Sequence, residues 1–536
     1  MSLFTESIPS QYGNASPSVS LERGNYRMRA PIIRPPPLLL PEKRQGTGTP
    51  SRKAANHRVN RNLALLLMLL TLACMTCFGS AYYLFTTRWD SRAISFPCTS
   101  SNTTSQAIVF DTDIDYLDLS AKYLTYLPHS GFHNQRIAFE NALLLSHLLR
   151  RTLLVPPIRL GNKPIHYVEY NTLSRYHELS SKEGLSHCAH IPVHITRPIE
   201  CLQYFETSYI PWTWLVDLSA VSTRQPFFHR PNMSQAWLQA RFGILSSDVY
   251  VLRDDMPYRY RFLDTLSDSS PVTDKYQEDV YITNLVAAQE RLLQIGTLFG
   301  TSRLRLKNSD NIAYLEMIRR NMVFTNSDLI ATADSISQSL HSYLGVHLRS
   351  GDGKFKKKIG TTVKAIWWEI LYTTLGLSVA EICDVEDKLL GEAPSSCTTS
   401  KIDPDLNNNV ATWSPYISSL LSYRGLCRSS RHHERKYHLL NVPIYVATDL
   451  KTPEMHPAMS IFRQTFPCMF FLDDFKKEMI PLENLISPYD GVNLLPFVLP
   501  FVDALVLGKA LKVVGTEGST FSKFVTEILW SNSTGN

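Results

Sequence analysis

Three short segments of this 536-residue chain gather residue types that handle anions and protons. Gly345-Val-His-Leu-Arg-Ser-Gly-Asp352 runs from an apolar stretch containing His347 into Arg349. A guanidinium is planar and permanently charged, so it suits phosphate oxygens, while Gly351 and Gly353 let backbone approach a ligand. Gly515-Thr-Glu-Gly-Ser-Thr-Phe-Ser522 reads as a phosphate cradle of small and hydroxylated residues. Ser130-Gly-Phe-His-Asn-Gln-Arg136 leads into a helical pattern, and the free N–H groups of a helix start favour an anion or a polar sugar. His133 in that segment titrates near neutral pH and is a candidate general base; its plainer reading is a loop histidine that only hydrogen-bonds.

These segments matter together because the pattern around them predicts strands that end where they begin. Tyr123–Leu127 reads as a strand, followed by the 128–134 loop and a helix with Ile137, Leu144 and Leu148 on one stripe. Thr152–Val155 follows as a buried strand, closed by Pro156 and Pro157. Tyr343–Leu348, Ile444–Thr448, Met469–Leu472 and Lys512–Val514 read as four more strands, with a helix over Phe501–Leu511 after Pro500. Between them, 160–335 is harder to parse, with an aromatic patch at Tyr209–Trp214 and a helical pattern over 276–298. Residues 384–436 read as a surface insertion. Strands alternating with helices predict an α/β fold, in which ligands bind beyond the carboxyl ends of the strands.

The formal net charge of +6 is unevenly spread. Residues 1–61 hold ten basic and three acidic residues, and the remaining 475 are nearly neutral, with 44 against 45. That excludes a nucleic-acid partner as the reason for the basic balance. The tail, rich in Pro, Ser and Arg, reads as disordered, and Leu63–Phe85 follows it as 23 residues without a formal charge. As a helix this run would extend ~35 Å, enough for one membrane crossing. The basic upstream flank predicts a type II signal anchor, with the tail cytosolic and everything beyond it lumenal. Residues 86–120 read as a polar stem, 121–335 as an N-terminal Rossmann-like domain facing the acceptor, and 336–536 as a C-terminal Rossmann-like domain. Asn102, Asn232 and Asn532 stand in glycosylation sequons. Of nine cysteines, Cys74 and Cys77 fall in the apolar run, leaving an odd seven. Asp111-Thr-Asp-Ile-Asp115 has the D-x-D spacing of a manganese site, but lies in the stem before the first strand and is read as incidental. No metal site is assigned.

Taken in order, Ser130–Arg136, His347-Leu348-Arg349, Ala447-Thr448-Asp449 and Gly515–Ser522 resemble the GDP-fucose O-fucosyltransferase family over roughly 123–530. The resemblance implies a GT-B fold of two Rossmann-like domains and metal-free, inverting transfer of fucose from GDP-fucose to a protein or glycan hydroxyl. It implies that Arg349 stabilises the departing GDP and that His347, Asp449, Ser519, Thr520 and Phe521 hold the donor. It also implies that Gly131, Phe132, Asn134 and Arg136 face the reaction centre. The sequence departs from the family at His133, where Asn is usual, and over 350–358, where an acidic version is commoner. A Golgi or ER membrane enzyme is the resulting expectation. A transferase with another nucleotide-sugar donor, or a catalytically silent sugar-binding or scaffold protein, are the alternatives.

Overall fold

The computed structural model describes residues 65–80, 120–161, 163–192, 194–266, 275–351, 353–391 and 414–531. The tail, residues 86–119 of the stem, Asn102, Asn532, the D-x-D run, Asp352 and residues 392–413 of the expected insertion lie outside them. Residues 65–80 form one helix with exposed side chains, in a compact unit separate from the one that holds residues 120–531. Among the described residues no helix is long and apolar enough to cross a membrane; residues 63–64 and 81–85 of the apolar run are not among them.

The larger unit is built on two parallel sheets. The first has the order β5-β2-β1-β9-β6, from Phe227–His229 (β5), Thr152–Val155 (β2), Tyr123–Tyr126 (β1), Leu292–Ile295 (β9) and Val249–Leu252 (β6). Every pairing in it is parallel. The second has the order β13-β12-β11-β14, from Met469–Phe470 (β13), Ile444–Thr448 (β12), Leu344–Leu348 (β11) and Lys512–Gly515 (β14), again parallel throughout. Strands buried on both faces need continuous apolar runs, which is why β1, β9 and β11 are buried at every position. On β12 the alternation sends Tyr445 and Ala447 into one apolar cluster and Ile444 and Val446 into another. Smaller elements are the antiparallel pair Ile158–Gly161 (β3) and Thr207–Ile210 (β4), and a parallel trio of Tyr260–Leu263 (β7), Glu278–Tyr281 (β8) and Leu304–Arg305 (β10).

Helix α1, Phe132–Leu148, is buried continuously from Gln135 to Ser146, so it is covered all round rather than along one stripe. Phe139 on α1 stacks on Trp212 with centroids 4.2 Å apart, which places the aromatic patch in the core. Two expectations change. The 276–298 stretch is not one helix but β8, a short turn of helix at Ile282–Val286, and β9, because Leu292–Ile295 is drawn into the buried sheet beside β1. Helix α2, Leu495–Gly508, begins earlier than expected: Pro496 occupies its first turn and Pro500 lies inside it. The expected insertion also starts late, since Val379–Leu390 is a capped helix with a capping box between Ser378 and Glu381. Disulfides join Cys188 to Cys201 and Cys427 to Cys468, and Cys383 is also disulfide-bonded.

Candidate active site

The register of the second sheet decides which groups emerge together. His347 lies beside Ala447 on one side and Gly515 on the other, so β11, β12 and β14 end level. Arg349, Asp449 and Thr516 then leave adjacent strand ends. Thr516 Oγ1 accepts the Arg349 N–H at 2.9 Å, and the Thr516 N–H donates to the His347 carbonyl at 3.1 Å. Asp449 accepts the Ser350 N–H at 2.7 Å and the Gly351 N–H at 2.9 Å. Its Oδ2 also lies 2.9 Å from Arg349 Nη1. Arg349 is thus held at its backbone N–H by Thr516 and at its guanidinium by Asp449, yet its side chain is 37% exposed to solvent. Asp449, expected against the donor, is already engaged in holding the loop that carries Arg349.

Beyond β14 the cradle continues into a short helix, α3, Thr520–Phe524. Ser519 caps it by accepting the Ser522 N–H at 3.3 Å, so its oxygen is engaged while its O–H hydrogen remains to donate. Phe521, on the first turn beside Thr520, stacks on the His347 ring, with centroids 4.3 Å apart and planes 24° apart. His347 Nδ1 pairs with Ser522 Oγ at 2.6 Å, and burial holds its pKa down to about 3. This histidine is neutral and serves to orient Phe521 and α3.

The start of α1 meets α3 from the other half. Ser130 takes a positive φ of 65°, and Gly131, without a side chain to cap with, sits at the N-cap. His133 lies 5.2 Å from the Phe521 ring and 5.0 Å from Phe524. Its Nδ1 is buried without a hydrogen-bond partner. Burial first, then the charges of Arg136, His347 and Arg349, push its pKa well below the usual histidine range. Those surroundings oppose an imidazolium and so oppose the general-base role. Arg136 is buried, paired with Glu140 and set 4.8 Å over Phe524, with its Nε unpartnered. Phe132 points away into a ring cluster, 4.7 Å from Phe501 and 5.8 Å from Phe324, so it packs the interior rather than facing a ligand. Asn134 is half-buried on the first turn of α1.

The structure therefore gathers His133, Arg136, His347, Arg349 and Phe521 around one place and holds Asp449 and Ser519 at its edge. Asn232 stands elsewhere, its Nδ2 donating to Glu183 at 3.1 Å and its Oδ1 accepting from the Ser234 N–H. Sequence reasoning named Thr516 and Ser522 only as members of the 515–522 cradle, and missed Glu140 and Phe524. Glu140 was legible as the i+4 partner of Arg136, and Phe524 as the residue one helical turn beyond Phe521. His187 lies near Cys188 and Cys201, but that pair is a disulfide and offers no thiolate to a metal.

No family model matches the chain. Over 40 residues, 8% of this chain and 8% of the relative, it is 58% identical to O-fucosyltransferase 30 of Arabidopsis thaliana. In that stretch the chain resembles the O-fucosyltransferases. The matched stretch covers only a small part of that relative's length. Among solved structures, POFUT1 in complex with GDP-fucose aligns with 76% of this chain and 93% of its own at 12% identity and a TM-score of 0.32. The apo form of POFUT1 aligns with 78% and 97% at 13% identity and a TM-score of 0.30.

Proposed function

We propose that this protein is a glycosyltransferase that moves fucose from GDP-fucose to a protein or glycan hydroxyl, with inversion, without a metal, and on a GT-B arrangement of two Rossmann-like halves. The observation that carries the reading is Arg349, fixed by Asp449 and Thr516 yet exposed beside the capped start of α3. The local identity to an O-fucosyltransferase supports the choice of donor. As the glycosidic bond breaks, negative charge grows on the diphosphate, and a guanidinium already in position stabilises it without reorganising. The Ser519–Thr520 helix start offers N–H and O–H donors to the same oxygens. His133, neutral, packs against the Phe521 and Phe524 rings where α1 meets α3, and Arg136, neutralised by Glu140, braces the same junction. We further propose a single-pass type II protein of the Golgi or ER membrane, on the strength of the charge step across the apolar run.

The test is release of GDP from GDP-fucose by the purified protein, with and without a chelator, over a panel of acceptor glycans and peptides. GDP release that survives chelation and rises with one acceptor supports the reading. Failure to bind GDP-fucose ends it, and turnover that needs added manganese ends the metal-free mechanism.

A further inference from the structure

Next to the first turn of α1 lies a cavity of about 260 Å³ formed wholly within the larger unit. Pro128, Pro156 and Pro231 line it, and each follows closely on the end of one of three adjacent parallel strands, β1, β2 and β5. The cavity therefore occupies the ligand position of the first sheet, as Arg349 and its loop occupy that of the second. Proline lacks an N–H, so this rim is short of backbone donors and partly apolar.

The charges that face the cavity cancel. Lys182 and Asp490, from segments 308 residues apart, form a buried pair at 2.6 Å, and Ser208 and Tyr204 add hydrogen bonds to Asp490. Glu183 is engaged by Asn232. Burial holds His129 at about 3 and His177 at about 4, so neither adds charge at neutral pH. Arg159 donates through Nη1 to the Lys163 carbonyl, while its buried Nε has no partner and calls for an oxygen acceptor. Tyr204 and Tyr209 supply aromatic walls. The volume is a little below the ~300 Å³ lower end of small-molecule sites, room for one ring and not for a folded module.

We infer that this cavity binds one neutral sugar ring, its hydroxyls on the tyrosine, serine and Arg159 groups and its apolar face on the proline rim. On the transferase reading above, which supplies the purpose but not the binding, that ring belongs to the acceptor glycan. Ser130 and Gln135 line the cavity and also belong to the segment that opens α1, which links the two sites.

Saturation-transfer NMR of the full chain with glucose, galactose, mannose, fucose, N-acetylglucosamine and glucuronate tests this. At least one neutral sugar binds, and Ser181→Trp, which fills the cavity from a half-buried loop position, weakens it about tenfold or more. Ser186→Trp, from an exposed lining position, serves as a second plug if the first variant is misfolded by circular dichroism. Binding of no neutral sugar, tighter binding of glucuronate, or binding unchanged in a folded plug variant overturns the inference. GDP-fucose binding measured on the same samples reports separately on the transferase reading. Its failure with sugar binding intact sinks that reading and leaves the cavity assignment standing.

Discussion

The two parallel sheets use one device at their carboxyl edges and put it to opposite ends. In the second sheet Asp449 follows β12 and takes the Ser350 and Gly351 N–H groups beyond the neighbouring β11. In the first sheet Asp254 stands beyond β6 and takes the Thr297 N–H beyond the neighbouring β9, at 2.8 Å. Each carboxylate lies so close to a glycine that an added Cβ would meet it. The separation would be 2.6 Å from Asp449 Oδ2 at Gly351 and 1.9 Å from Asp254 Oδ1 at Gly296. The difference is the solvent. Asp449 is ion-paired with Arg349, whose guanidinium side chain is 37% exposed. Asp254 is 4% exposed, its Oδ1 has no partner, and burial pushes its carboxyl up to about 6. Its clamp holds Thr297, which pairs with His129 at 2.7 Å, and His129 pairs with Ser130 at 2.8 Å. An open clamp positions a guanidinium for an anion; a sealed one shapes a buried wall.

The largest effect separates the two edges by function. Arg349→Ala lowers transfer from GDP-fucose about 10³-fold, equivalent to ~4 kcal/mol, while leaving the denaturation midpoint near wild type. Kinetics with GDP-fucose and a urea titration check this, and near-normal turnover would remove the open clamp from the mechanism. Next come the glycines. Gly296→Ala costs about 3 kcal/mol of stability, because the new methyl drives a buried carboxylate off the Thr297 N–H. Gly351→Ala costs only about 1 kcal/mol, since Asp449 can swing towards water. Equal losses in the two variants would mean that solvent access does not distinguish the clamps.

How much of this was legible follows the range of the interaction. Arg349 at a strand end could be read because Tyr343–Leu348 is one apolar run whose end fixes the position of the next side chain. The Gly515–Ser522 cradle could be read for the same reason, since the turn and the cap are written within eight residues. The 276–298 misreading shows the limit: Leu292–Ile295 has no local feature that selects strand over helix, and its neighbours β1 and β6 decide it. The paired clamps were invisible, because Asp254 and Gly296 lie 42 residues apart and neither is unusual alone. Lys182 and Asp490 are further apart still. The chemistry of His133 could not be read locally, since its pKa is lowered first by burial and then by Arg136, His347 and Arg349 arriving beside it.

Asp449→Asn tests the open clamp from its acidic side. Loss of the charge-assisted bonds to two N–H groups and to Arg349 should cost roughly 2 kcal/mol and slow transfer about tenfold, with the KM for GDP-fucose rising more than kcat falls. A variant with unchanged KM would show that Arg349 needs no anchor.

The corresponding Asp254→Asn change should have the smallest effect and the opposite sign. The Asp254 carboxyl has a folded pKa of about 6 against an ordinary 3.8, so the native state holds the proton more tightly than the unfolded chain. Its stabilising contribution is complete below pH 3.8 and is lost as the pH rises through 6, to a limit of roughly 3 kcal/mol. Asparagine keeps an oxygen for the Thr297 N–H and cannot ionise, so it avoids that loss, less whatever attraction to Arg303 the carboxylate supplied. Chemical denaturation should find the variant about 1 kcal/mol more stable than wild type at pH 8 and no more stable at pH 4.5. If the two proteins stay parallel across that range, the buried carboxylate does not titrate between them. The contrast between a sealed and an open clamp would then rest on geometry alone.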